Sequence, residues 1–255
     1  SHAVSRDTEG YIFLGMSDRF HVAAPVQAPY GILVPRTIDG LLVPMAVSST
    51  HIGFQTLRLE PIRVSMGQAA GNAAALCVKQ HVQPRAVNVA QLQQMLLDQG
   101  QSLYFFKDVL PSNPHFKAIQ KVAMAGVDSG NDDYTFHPEA RATYGDAARY
   151  LFNGLHLKVK MDVSNMWKIM PWQERKGARG IQYCTPNHPA TYYLLTLFNL
   201  GAINEGALRQ MNPDAPIPRQ TFAQWVGKLH PSSSASGSGT ELTREEMAEI
   251  VAGWL

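Results

Sequence analysis

The stretch GFQTLRLEPIRVSMGQAAGNAAAL, residues 53–76, decides how the first part of the chain is read. Gly67, Ala70, Gly71 and Ala74 recur at i, i+3, i+4 and i+7, which predicts a helix over 62–80 with one face almost free of side-chain bulk. A helix start exposes unpaired amides and partial positive charge, so it suits an anion or a ring carbonyl that gathers electron density. Glycine and alanine also let a planar group or a neighbouring backbone come close. Upstream, Ser49, Thr50, His51 and Gln55 place polar groups before a bend at Arg58, Glu60 and Pro61. Spacing alone leaves a second reading open, in which the bare face simply packs a helix on a sheet.

Before this helix, YIFLGM (11–16) and GLLVPMAV (40–47) are apolar runs that predict strands, with a turn at Asp39-Gly40 between them. After it, Asn88–Gly100 predicts a second helix, capped by Asn88 and stopped by Gly100. The character of the chain changes near residue 103. Residues 104–153 run helix, Gly-rich turn, extended piece, helix, and residues 187–229 repeat that order. Residues 240–255 supply the end of a third, partial unit, with Thr243 as cap and Glu246 at the reciprocal position. The expected division is therefore 1–102 and 103–255. Residues 154–186 show no clear period and hold Trp167, Trp172 and the basic cluster Arg175, Lys176 and Arg179, while 231–240 is low-complexity.

The apolar fraction is 45%, the charged fraction 16% and the formal net charge +2, far from the basicity of a nucleic-acid binder. Cys77 and Cys184 form neither a metal spacing nor a disulfide framework, and His115, His137 and His188 are not spaced as ligands, so no metal is expected. No apolar run reaches a membrane span. Ser1-His2, without an initiator Met, reads as a scar of processing or of vector sequence.

Residues 40–76 resemble the C-terminal FAD-binding segment of the FAD-dependent oxidoreductases related to glutathione-reductase-type flavoproteins, among them xanthan-lyase-like members. The resemblance rests on Ser48, Thr50, His51, Arg58, Pro61, Gly67, Gln68 and Gly71. It implies an α+β chain: a C-terminal fragment of an FAD-binding α/β domain, then a mainly helical repeat domain. By the same resemblance FAD is the cofactor, touched by Ser49, Thr50, Gln55, Arg58, Gly67, Gln68 and Gly71. The Gly67 helix start would stabilise negative charge on the reduced ring, and His51 is the candidate catalytic base for hydride transfer from a small organic substrate. The family opens on Gly-x-Gly-x-x-Gly, and these 255 residues hold no such run outside the tail-like SGSGT at 236–240. A second chain carrying the dinucleotide-binding half is the expected partner, with a trimmed sequence or a relic segment as the alternatives.

Residues 104–153 resemble an S-layer homology repeat, with the family's Thr-Arg-Ala-Glu segment appearing as Thr143-Tyr144-Gly145-Asp146 and more closely as LTREEMAEIV at 242–251. Such repeats pack in threes and grip wall-linked polysaccharide, often through the arginine of that segment, which Arg219 and Arg244 match and Tyr144 replaces. The resemblance implies a cell-wall glycan as partner and a periplasmic or cell-surface location. A packing or docking module that no longer binds glycan is the other reading. Trp167, Trp172, Trp225 and Trp254 suit either a sugar-facing surface or a core.

Overall fold

The computed structural model describes residues 12–13, 25–157, 188–233 and 239–255. Trp167, Trp172, Arg175, Lys176, Arg179 and Cys184, and most of the strand expected over 11–16, lie outside the described residues. Those described are mostly helical, with almost no strand to bear out the expected α+β composition. Their paired strands are two residues each, β1 (Ile12–Phe13) antiparallel to β2 (Pro25–Val26), with Ile12 opposite Val26. The strand expected over Gly40–Val47 is irregular chain instead. Its Val43 amide donates to the Leu33 carbonyl at 2.8 Å and its Gly40 amide to the Gln83 side chain at 2.9 Å, and Pro44 brings no amide to extend a ladder.

The chain forms two compact units, Ser1–Gln120 and Lys121–Leu255. In the first, a 3₁₀ turn at Tyr30–Leu33 precedes α1 (His51–Leu57), α2 (Glu60–Gln80), a second 3₁₀ turn at Pro84–Ala86 and α3 (Val89–Asp98). The long helix begins where Pro61 is tolerated, in the first turn. It buries Ile62, Met66, Ala70, Ala73 and Leu76, a helical spacing, and α3 buries Leu92, Leu96 and Leu97. Asn88 caps α3 as expected, accepting from the Gln91 amide at 3.2 Å, and Gly100 ends it at φ +77°. Tyr30 donates its hydroxyl to the Pro84 carbonyl at 2.9 Å, and Arg85 reaches Asp39 at 2.7 Å.

The division between units falls inside α4 (Phe116–Met124). Gln120, fully buried, accepts from the Leu103 and Tyr104 amides and donates to the Tyr104 carbonyl, so the start of α4 is tied to residues well before it.

The second unit holds α5 (Tyr144–Gly154), α6 (Thr191–Asn199), α7 (Glu205–Gln210), α8 (Arg219–Leu229) and α9 (Arg244–Ala252). Three tripeptides lead into α5, α8 and α9 and bridge one another in a cycle: Arg141 with Thr243, Thr143 with Pro216, and Pro218 with Glu241. The first residue of each pairs with the third residue of another. Their middle residues, Ala142, Ile217 and Leu242, are buried together. Each helix also finds its first amide a partner in another tripeptide's approach, Tyr144 to Ala215, Arg219 to Thr240 and Arg244 to Ala140, at 3.1, 3.1 and 2.9 Å. A group that a lone helix leaves unpaired is thus satisfied three times over. Thr143 and Thr243 complete capping boxes with Asp146 and Glu246.

Candidate functional site

Two sets of residues carry chemistry, one in each unit. In the first, Thr50 caps α1 by accepting from the Gly53 amide at 3.1 Å, and Ser49 donates to the Thr50 carbonyl. His51, Gln55 and Arg58 follow at i, i+4 and i+7 and are exposed, so one open face of this short helix carries an imidazole, an amide and a guanidinium.

The helix expected over 62–80 is present, and the free amides of its start do not lie at Gly67. The long helix begins at Glu60, so Gly67 lies about two turns inside it, where its amide is engaged within the helix. At the true start Pro61 has no amide hydrogen, and the Ile62 amide is bonded to the Leu59 carbonyl at 3.1 Å. Neither place offers the cluster of free amides that would hold a negatively charged ring. Gln68 is engaged too. Its amide donates to Gln99 at 2.8 Å, and Asn72 exchanges bonds with the same residue, which stitches α2 to α3 along their exposed edge.

What Gly67 and Gly71 do provide is bare helix surface. Both are exposed, and a Cβ added at either would meet nothing within 4 Å. Val64 and Val78, on the same side, are 69% and 77% exposed. Ala70, assigned to this face from its spacing, turns inward and is buried. The surface fits close contact with a flat ring or another backbone and does not fit charge stabilisation by amides.

In the second unit the buried ions converge. Asp128 has no exposed side-chain surface. It receives Arg244 at 2.9 Å, Arg149 at 3.0 Å and the Tyr150 hydroxyl at 2.8 Å. Arg244 also donates to the Phe136 carbonyl at 2.9 Å and to Asp146 at 3.1 Å, where Arg149 joins it. Burial, reinforced by the Asp128 charge, holds the Tyr150 hydroxyl well above the ordinary tyrosine range. Burial alone would lower Arg149, but Asp128 and Asp146 together raise it.

The arginines obey the cycle of the tripeptides. Arg244, first residue of α9, reaches Asp146, third residue of α5. Arg219, first residue of α8, reaches Glu246, third residue of α9, at 2.5 Å. At the remaining edge Tyr144 stands first in α5 and faces Trp225 of α8, with ring centroids 5.9 Å apart. Both arginines matched to a glycan-gripping position are therefore buried and bound to the protein's own carboxylates. Trp225 is a core residue, and Trp254 lies half-buried beside His230. Asp128, Arg149 and Tyr150 were not singled out from sequence. Their signal, an Asp in AGVDSG and an Arg-Tyr pair in a helix, gains meaning only from the contact across 116 residues to Arg244.

Among the described residues no three His, Cys, Asp or Glu side chains form a metal site, and no helix is long and apolar enough to cross a membrane. Family models match the chain in two places. Residues 5–96 match the FAD dependent oxidoreductase family, and residues 105–148 match the S-layer homology domain. No curated protein matches the chain.

Proposed function

We propose that this chain is the flavin-side, C-terminal portion of an FAD-dependent oxidoreductase of the glutathione-reductase-like group, joined to a module of three S-layer-homology-like units. The match of residues 5–96 to the oxidoreductase family carries the reading. The bare face of α2 supports it, because Gly67 and Gly71 leave a wall against which a flat ring or a partner's backbone can lie. A second chain supplies the Gly-x-Gly-x-x-Gly half. Bound FAD would supply the hydride-accepting chemistry for a small organic substrate. His51, Gln55 and Arg58 present their polar groups from one face of α1, with His51 as the group that takes a proton. The match of residues 105–148 to the S-layer homology domain supports assigning the enzyme to the cell surface or the periplasm.

Purification from the native source tests this. The expected result is a second polypeptide bearing the dinucleotide fingerprint, stoichiometric flavin with its two visible absorption bands, and a His51→Ala variant that keeps flavin but loses turnover. A single, colourless, folded chain overturns it.

One observation favours a second reading, a binding or assembly subunit without catalysis. The three-edged ring of α5, α8 and α9 is completed by residues of the second unit alone. Flavin content of the material that co-sediments with purified wall polysaccharide separates the two readings, since an assembly subunit binds the polymer or a protein partner without flavin.

A further inference from the structure

We infer that the substrate of the flavin reading, on which this step rests, is an organic carboxylate, held by Arg58 with its other end towards His51. α1 presents His51, Gln55 and Arg58 on one exposed face. Arg58 makes no ion pair or side-chain hydrogen bond with any described residue, and neither does Arg63, half-buried near the start of α2. Glu60 stands between them in sequence and pairs with neither among the described residues. Elsewhere Arg85, Arg149, Arg219 and Arg244 each hold one of the protein's own carboxylates. The bend between α1 and α2 thus keeps two guanidiniums without a counter-charge from the described residues.

Exposed to water, such a face is tolerated. Covered by a second chain and a cofactor, it loses that hydration, and a cation left there without an acceptor is costly. A bound carboxylate removes the cost, because the planar fork of Arg58 takes its two oxygens through parallel hydrogen bonds. The positive potential of the bend, to which Arg63 adds, draws the anion in. Gln55, one turn before Arg58, offers an amide donor to the body of the same molecule. At about 1.5 Å per residue, His51 and Arg58 lie about 10 Å apart along the helix axis. That span bounds the distance between the carboxylate and the group that gives His51 its proton, since Arg58 leans back towards the start of its helix.

The test uses the natively purified complex at low salt and three probes of one shape, benzoate, benzamide and phenyl phosphate, titrated against the visible bands of the flavin. Benzoate is expected to perturb the bands saturably and to bind roughly tenfold or more tightly than benzamide, the effect of a charge-assisted pair. Arg58→Leu should retain flavin and make the two equal, and Arg58→Lys should restore part of the preference, as a point charge without a fork. Arg58→Lys carries the test if the leucine variant fails to assemble. A native complex without flavin overturns the flavin reading and the carboxylate assignment together. With flavin present, the carboxylate assignment alone is overturned by no saturable change with benzoate, by equal binding of benzoate and benzamide, or by tighter binding of phenyl phosphate. Loss of flavin from a folded Arg58→Leu complex also overturns it, since the guanidinium then serves the cofactor.

Discussion

Arg244 and Asp128 stand 116 residues apart in sequence and 2.9 Å apart in space, and both are largely withdrawn from solvent: the side chains are 11% and 0% exposed. The guanidinium meets three acceptors in three directions, the Phe136 carbonyl, Asp128 and Asp146. Its plane also lies 5.0 Å from the centre of the Phe136 ring. Only a forked, always-charged donor fits that set.

Removing it should be severe. Arg244→Leu leaves the buried carboxylate with Arg149, Tyr150 and the Gly130 amide, and a loss of about 3–5 kcal/mol is expected for breaking a buried pair. Arg244→Lys should recover only part of that, because a single ammonium cannot serve three directions. Denaturant unfolding of the three proteins checks the order.

The pH response of the second unit has two limbs. At the acid end burial would raise Glu246, but the Thr243 amide and the Arg219 charge outweigh it and hold the carboxyl below its ordinary value. Its contribution is present above about pH 4.5 and is lost as pH falls through the lowered folded value. At the alkaline end Tyr150 is raised, so its contribution is complete below about pH 10 and is lost as pH climbs towards the folded value. Glu246→Gln should flatten the acid limb and Tyr150→Phe the alkaline one, read from unfolding midpoints across pH.

Glycines in the two units should respond oppositely to a methyl group. At Gly67 the space is open, so Gly67→Ala should stabilise the isolated chain by up to about 1 kcal/mol through helix propensity. At Gly145 a Cβ would stand 2.9 Å from that of Ala190 and 3.2 Å from the Pro213 carbonyl, so Gly145→Ala should cost about 1–3 kcal/mol. If the bare face of α2 receives flavin or a partner chain, Gly67→Leu should also reduce recovery of both in native purification while leaving the isolated chain folded.

Tyr134 holds φ at +67°, a conformation that costs a side chain bearing Cβ on the order of 1–2 kcal/mol. Tyr134→Gly removes that strain but gives up the contacts of a half-buried side chain and gives the unfolded chain more freedom, so a net change within about 1 kcal/mol of zero is expected. A thermal unfolding comparison decides it.

Local features were legible in the sequence wherever a single turn of helix determines them. The caps at Asn88 and Thr243 and the stop at Gly100 needed only neighbours three or four residues away. The run over Gly40–Val47 looked like a strand because apolar alternation does not tell whether a partner strand exists, and none pairs with it among the described residues. The Gly67 helix was expected over 62–80 and runs Glu60–Gln80, its start set two residues earlier by the proline. The arginines illustrate a different limit. Arg219 and Arg244 are recognisable by position, but whether they face a ligand or the protein's own carboxylates depends on which helices meet, and spacing within one segment carries no trace of that.

The cyclic pairing of the three tripeptides also imposes an order on synthesis. Arg141 and Thr143 are translated early, yet the tripeptide that closes their ring ends at Thr243. Until that stretch and Arg244 have left the ribosome, Asp128 lacks one of its two arginines and Ala142 and Ile217 lack their third companion. Assembly of the second unit is therefore expected to wait for that stretch, as a single closure rather than stepwise addition of one segment after another.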